Sequence, residues 1–145
     1  MAASRFTDNE KERVLEAIGA AEKLTSGEIR VHIDVRCPEK NLLDRAAHLF
    51  AKLNMHKTAL RNGVLIYVAL DDHRFAVIGD KGIHAKVPDR FWELVTEAMT
   101  PHFKEQQIVD ALLAGIKMCG EELARDFPVS EDDTNELSDD ISFGS

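Results

Sequence analysis

Seven consecutive apolar residues, Val64-Leu65-Ile66-Tyr67-Val68-Ala69-Leu70, constrain this chain more than any other stretch. The run is too short to span a membrane, which takes about 20 residues. It also lacks the period of a helix with one wet face. An unbroken apolar run of this length reads as a strand covered on both faces, at the centre of a sheet. Asp71-Asp72-His73-Arg74 follows with turn-favouring acids. Phe75 to Ile78 is then the returning antiparallel strand. Gly79-Asp80-Lys81-Gly82 closes the unit as a polar loop too short for the Gly-x-x-x-x-Gly-Lys phosphate cradle.

The remaining elements are assigned by period. Thr7 and Glu10 have capping-box spacing, with Phe6 placed as the staple residue of a first helix. Val14, Leu15, Ile18, Ala21 and Leu24 make its apolar face, and Thr25-Ser26-Gly27 ends it. Glu28 to Arg36 alternates strictly. Ile29, Val31, Ile33 and Val35 are expected inside, and Arg30, His32, Asp34 and Arg36 in water, on a strand near the sheet edge. Asn41 to Asn54 is a second helix, with Leu42, Leu43, Ala46, Ala47, Leu49, Phe50 and Leu53 inward. Pro88 is placed in the first turn of a third helix carrying Phe91, Trp92, Leu94, Val95, Ala98 and Met99, which Thr100-Pro101 breaks. A fourth runs from about Lys104 to Arg125, with Gly115 and Gly120 allowing close packing. Residues 1–127 form one domain. Residues 128–145 carry six acids and no base and are expected to be a flexible tail, with Ile141-Ser142-Phe143-Gly144 as an end that can dock.

A strand–helix–strand connection favours two parallel strands with a right-handed crossover, and the hairpin adds an antiparallel neighbour. The expected fold is a three-layer α/β/α sandwich with a small mixed sheet. This topology brings the starts of the parallel strands and the end of the antiparallel one to the same edge. Ser26, Glu28, Asn62, Asp80 and the loop through Asp89 should meet there, away from Asp71-Asp72-His73.

Several function classes are disfavoured at once. The net charge of −8 argues against binding nucleic acid through phosphate neutralisation. Cys37 and Cys119 show no zinc-type spacing and are expected as reduced thiols. The N-terminus has no signal-peptide core, so a cytoplasmic monomer with no membrane span is expected. The six histidines are scattered, and neither Ser26 nor Cys37 sits in a nucleophile motif. The convergent edge remains. Glu28, Asp80 and Asp89 offer carboxylates and Asn62 a neutral oxygen, a donor set suited to a hard cation such as calcium. The opposing reading is a solvated strand end at Glu28 and an acid beside a helix N-terminus at Asp89.

Thr25-Ser26-Gly27-Glu28-Ile29, Arg61-Asn62-Gly63-Val64-Leu65-Ile66, Gly79-Asp80-Lys81-Gly82-Ile83, Val87-Pro88-Asp89-Arg90-Phe91-Trp92 and Pro101-His102-Phe103 together resemble the TPM domain, the family of the thylakoid acid phosphatase. The resemblance runs in order from about Phe6 to Leu123. It looks closest to small bacterial stand-alone members, where it extends into Asn135 to Gly144. It implies an α/β/α sandwich and divalent-cation binding, calcium in some members, through acids at loop ends. Phosphatase activity is attributed to the plant member. Two positions depart from many members: Arg61 stands where they carry Asp, and His84 where they carry Glu. The first expectation is therefore a calcium-binding module without efficient catalysis, with Glu28, Asn62, Asp80 and Asp89 as ligands. A metal-assisted phosphatase is the second, with Arg61 or Lys81 holding phosphate and His84 as acid. A protein-interaction module using the acidic tail is the third.

Overall fold

The computed structural model describes residues 2–129 and 141–144. Its elements in chain order are α1 (Asp8–Glu22), β1 (Glu28–Asp34), α2 (Leu42–Lys52), β2 (Gly63–Ala69), β3 (Arg74–Gly79), the single turn α3 (Lys81–His84), α4 (Phe91–Lys104), α5 (Ile108–Asp126) and β4 (Ile141–Phe143). The four strands lie in the order β3-β2-β1-β4. β1 runs parallel to β2 with Glu28 opposite Gly63, and parallel to β4 with His32 opposite Ser142. β2 and β3 form the antiparallel hairpin, Val64 opposite Gly79.

Period two along the strands sorts side chains into two cores. Ile29, Val31, Ile33, Val64, Ile66 and Val68 face α1, α4 and α5 and make the larger core with Ile18, Val95, Met99, Leu112 and Ile116. Leu65, Tyr67, Ala69 and Ala76 face α2 and pack on Leu42, Ala46, Leu49, Phe50 and Met55. Every residue of β2 is buried, as a strand covered on both faces must be. The expected sandwich and the central place of β2 are both observed.

The capping box of α1 is complete: Glu10 N–H donates to Thr7 Oγ1 at 3.0 Å and Thr7 N–H to Glu10 Oε1 at 2.8 Å. Asn41 caps α2 through Leu43 N–H at 2.9 Å. Gly115 and Gly120 are sites of close approach, since a Cβ would meet Met99 Sδ at 2.6 Å and Ala21 Cβ at 2.7 Å.

Several expectations are corrected. β1 lies one strand in from the sheet edge, beside the short β4, but its polar face is not wet: Glu28, His32 and Asp34 are buried. Alternation marks two different faces, but it cannot tell water from a polar network beneath a helix. Leu24, Leu43 and Leu94 are exposed: Leu24 lies beyond the end of α1, and Leu43 and Leu94 stand at the margins of their helical stripes. The loop after Gly79 contains α3, and α4 starts at Phe91, leaving Pro88 in the preceding turn. Pro101 does not end α4, which continues to Lys104. Proline at 101 removes the N–H that would reach back to the Glu97 carbonyl, and Glu97 is exposed. Thr100 Oγ1 bonds Thr96 O at 2.7 Å nearby, a contact that eases a helix open. α5 begins at Ile108, after a turn in which Gln106 takes φ of 60°. Of the acidic segment, residues 130–140 lie outside the described residues.

Candidate functional site

The edge singled out by topology is assembled from four chain segments. Thr25 anchors the first: its Oγ1 donates to Leu123 O at 3.0 Å, and Ser26 N–H donates to Phe127 O at 2.9 Å. These bonds clamp the entry to β1 against the end of α5. Gly27 fits where a Cβ would meet Leu123 Cδ1 at 3.0 Å and Asn62 O at 3.3 Å. Glu28 N–H then donates to Asn62 O at 3.3 Å, and Asn62 Nδ2 donates to Ser26 Oγ at 3.4 Å. Thr58 Oγ1 accepts from Asn62 N–H at 3.2 Å. Asp80 joins through its N–H to Gly63 O at 3.0 Å, and Gly82 N–H reaches Arg61 O at 3.0 Å. Gly82 has no room for a side chain, because a Cβ would run into the Leu60 and Arg61 carbonyl oxygens.

Ser26, Glu28, Asn62 and Asp80 are thus neighbours along one edge, and Glu28, Asn62 and Asp80 are 2%, 1% and 6% exposed. Asp89 is exposed in the turn before α4.

Arg61 dominates the charge at this edge. It takes left-handed φ of 52°. Its Nε donates to Asp80 Oδ2 at 2.6 Å and its Nη2 to Asp80 Oδ1 at 2.8 Å. Asp80 Oδ1 also accepts Lys81 N–H at 2.8 Å, capping α3. The fork-on-fork pair is the strong geometry for guanidinium and carboxylate, and the hydrogen bonds to Asp80 raise the Arg61 pKa further. The oxygen donors suit a hard cation by chemistry, but both Asp80 oxygens already carry a fixed cation. Among the described residues, no group of three or more His, Cys, Asp or Glu side chains is arranged to hold a metal ion. Arg61 is likewise engaged rather than open to a phosphate, and the His84 ring packs on Trp92 with centroids 5.3 Å apart.

The opposite edge holds a groove of about 620 Å³, lined by residues including Arg5, Phe6, Arg13, Asp71, His73 and Asp110. Four of its charges are matched in pairs: Arg5 to Asp71 at 3.1 Å and Arg13 to Asp110 at 3.6 Å. The Arg5 hydrogen bond holds the Asp71 carboxyl below the usual range. Asp72 Oδ2 accepts Cys37 N–H at 2.7 Å, so this acid pins the hairpin turn to the end of β1.

Sequence reasoning missed a third constellation, on the α2 face of β1. Asp34 Oδ2 accepts from Tyr67 OH at 2.6 Å and Arg45 Nε at 3.0 Å. Its Oδ1 accepts from His32 Nε2 at 3.1 Å and Arg45 Nη2 at 3.4 Å. His32 Nδ1 lies 2.7 Å from Ser142 Oγ. Since the carboxylate only accepts, the ring proton belongs on Nε2, and Nδ1 accepts from the Ser142 hydroxyl. Burial pushes the His32 pKa down, against the opposing pull of Asp34, so the ring is held neutral. For Asp34 burial pushes upward, but hydrogen bonds from Arg45, Tyr67 and His32 outweigh it and the net shift is downward. Two signals in the chain pointed here: the only tyrosine lies inside the apolar run, and Arg45 lies between Leu42 and Leu49 on the inward side of α2.

The TPM domain model matches residues 2–122. Among solved structures, the BA42 protein of the psychrophilic bacterium Bizionia argentinensis is 44% identical, covering 96% of this chain and 95% of its own, with a TM-score of 0.90. The N-terminal domain of a P. gingivalis protein, 19% identical over 84% of this chain and 78% of that one, has a TM-score of 0.69 and shares the fold. So does the N-terminal domain of a Corynebacterium glutamicum protein, 9% identical over 95% of this chain and 80% of that one, with a TM-score of 0.67. No curated protein matches the chain. The order of strands, the paired loop ends and this match over most of the sequence agree: the chain belongs to the TPM domain family.

Proposed function

We propose that this TPM domain binds a divalent cation, calcium by donor chemistry, at the edge formed by Glu28, Asn62 and Asp80, and works as a binding module rather than an efficient catalyst. The observation that supports the reading is the burial of Glu28, Asn62 and Asp80 at loop ends joined by backbone hydrogen bonds. Hard oxygen donors on several short loops are what calcium uses. Asp89, one turn before α4, is the exposed carboxylate available to complete the shell.

Arg61 sets the terms of binding. A cation reaches Asp80 only by displacing the guanidinium, whose side chain is 35% exposed and so has a path into water. Exchange of one cation for another costs affinity, which places binding in the weak, about 10⁻⁴–10⁻³ M, range of calcium modules. Calcium titration followed by amide shifts tests this. Shifts are expected at Glu28, Asn62, Asp80 and Gly82, lost in Asp80→Asn and shifted to lower calcium in Arg61→Ala. Absence of shifts at about 10 mM calcium in both the wild type and Arg61→Ala overturns the proposal.

A further inference from the structure

The His32–Asp34–Arg45–Tyr67 network faces the segment Ile141–Gly144, and the fit between them is specific at each residue. Ser142 Oγ meets His32 Nδ1 at 2.7 Å and Val31 O at 3.4 Å. Phe143 packs on Phe6, with centroids 6.2 Å apart, and lies under Lys11 Nζ at 5.7 Å. Gly144 N–H donates to Ile33 O at 2.8 Å. No other residue fits there, because a Cβ on Gly144 would run into Asp34 Oδ1. Ile141 packs at the margin of the larger core. The hydrogen bonds follow the order of a nucleophile relay, but the groove of about 620 Å³ at the Asp71 edge is lined by none of Ser142, His32 and Asp34.

We propose that the β1 edge is a strand-acceptor site for an apolar–Ser–aromatic–Gly segment, and that besides the chain's own Ile141–Gly144 it takes the same segment of a second copy. Three observations carry this. The reading groups belong to the domain: Asp34, anchored by Arg45 and Tyr67, orients His32 so that its Nδ1 lone pair faces the incoming strand. The docked strand is only three residues long and half-buried throughout, the kind of short terminal segment whose local opening costs little. Eleven residues, 130–140, connect it to the rest of the chain. At full extension they reach roughly 35–40 Å, enough for the segment to seat on a neighbouring molecule. The exchange keeps every contact, as in strand swapping between identical protomers.

The test uses full-length chains. Gly144→Val spoils the segment and leaves the acceptor intact; His32→Ala spoils the acceptor and leaves the segment intact. In Gly144→Val, the amides of Val31 and Ile33 and the His32 ring resonances are expected to move while β2 amides stay in place, reporting a folded domain. Adding a peptide of residues 139–145 should restore the wild-type positions, and its Gly→Ala version should bind at least tenfold more weakly. Mixing the two variants should give a one-way dimer that neither forms alone, with contacts between Phe6 of one chain and Phe143 of the other. A peptide that fails to bind Gly144→Val, or binds equally with Ala in place of Gly, overturns the acceptor site. A mixture that stays monomeric at millimolar concentration overturns the second copy as occupant.

Discussion

Replacing Asp34 by alanine is the most informative single perturbation of the domain. The carboxylate is 1% exposed and accepts four hydrogen bonds from three side chains. Removing it leaves the Arg45 charge, the Tyr67 hydroxyl and the His32 ring N–H without their acceptor. Breaking a buried pair by deleting one partner costs about 3–5 kcal/mol. The Arg45 side chain is 20% exposed and recovers some hydration, so the lower end applies, about 3 kcal/mol. Tyr67→Phe removes only the 2.6 Å bond to the same oxygen, and a hydrogen bond to a charged group is worth about 1.5–3 kcal/mol. Urea unfolding followed by circular dichroism reads both. With a slope of about 2 kcal/mol/M, Asp34→Ala should lower the midpoint by about 1.5 M. The double variant should lose less than the sum of the two, because Tyr67→Phe costs little once its acceptor is gone. A loss below about 1 kcal/mol for Asp34→Ala, or strict additivity in the double variant, would refute the view that these residues act as one buried network.

The same network sets a pH dependence. His32 is held neutral in the fold by burial, so the unfolded chain takes up its proton first, near the ordinary 6.5, and stability falls as pH drops below that value. Asp34, with its pKa held below 3.8, adds a further loss as pH falls through its folded value. Urea midpoints at pH 7.5, 5.5 and 3.5 should therefore decrease in that order, with the first step diminished in His32→Gln. At the other edge, Gly82→Ala must push the Leu60 and Arg61 carbonyls aside, and a loss of about 1–3 kcal/mol is expected by thermal unfolding. Burial pushes the Cys119 thiol up to about 12, so in the native protein a thiol reagent should label Cys37 alone, and Cys119 only after denaturation.

Local chemistry determined most of the fold. The Val64–Leu70 run places β2 at the centre because an apolar strand needs cover on both faces. The Thr7–Glu10 spacing starts α1, and the glycines of α5 mark where Met99 and Ala21 press on its backbone. Parallel starts beside an antiparallel end bring Glu28, Asn62 and Asp80 to one edge, which is a matter of connectivity and so could be worked out from element order. Tertiary structure alone decided what those groups do there. Asp80 meets Arg61 across 19 positions of sequence, and no periodicity encodes a guanidinium turning back from left-handed backbone onto a distant carboxylate. It also decided that His32 and Asp34 are dry. A period of two says that they share a face. Only the docking of α2, which brings Arg45, and of β4, which brings Ser142 and Gly144 from more than a hundred residues away, makes that face an interior.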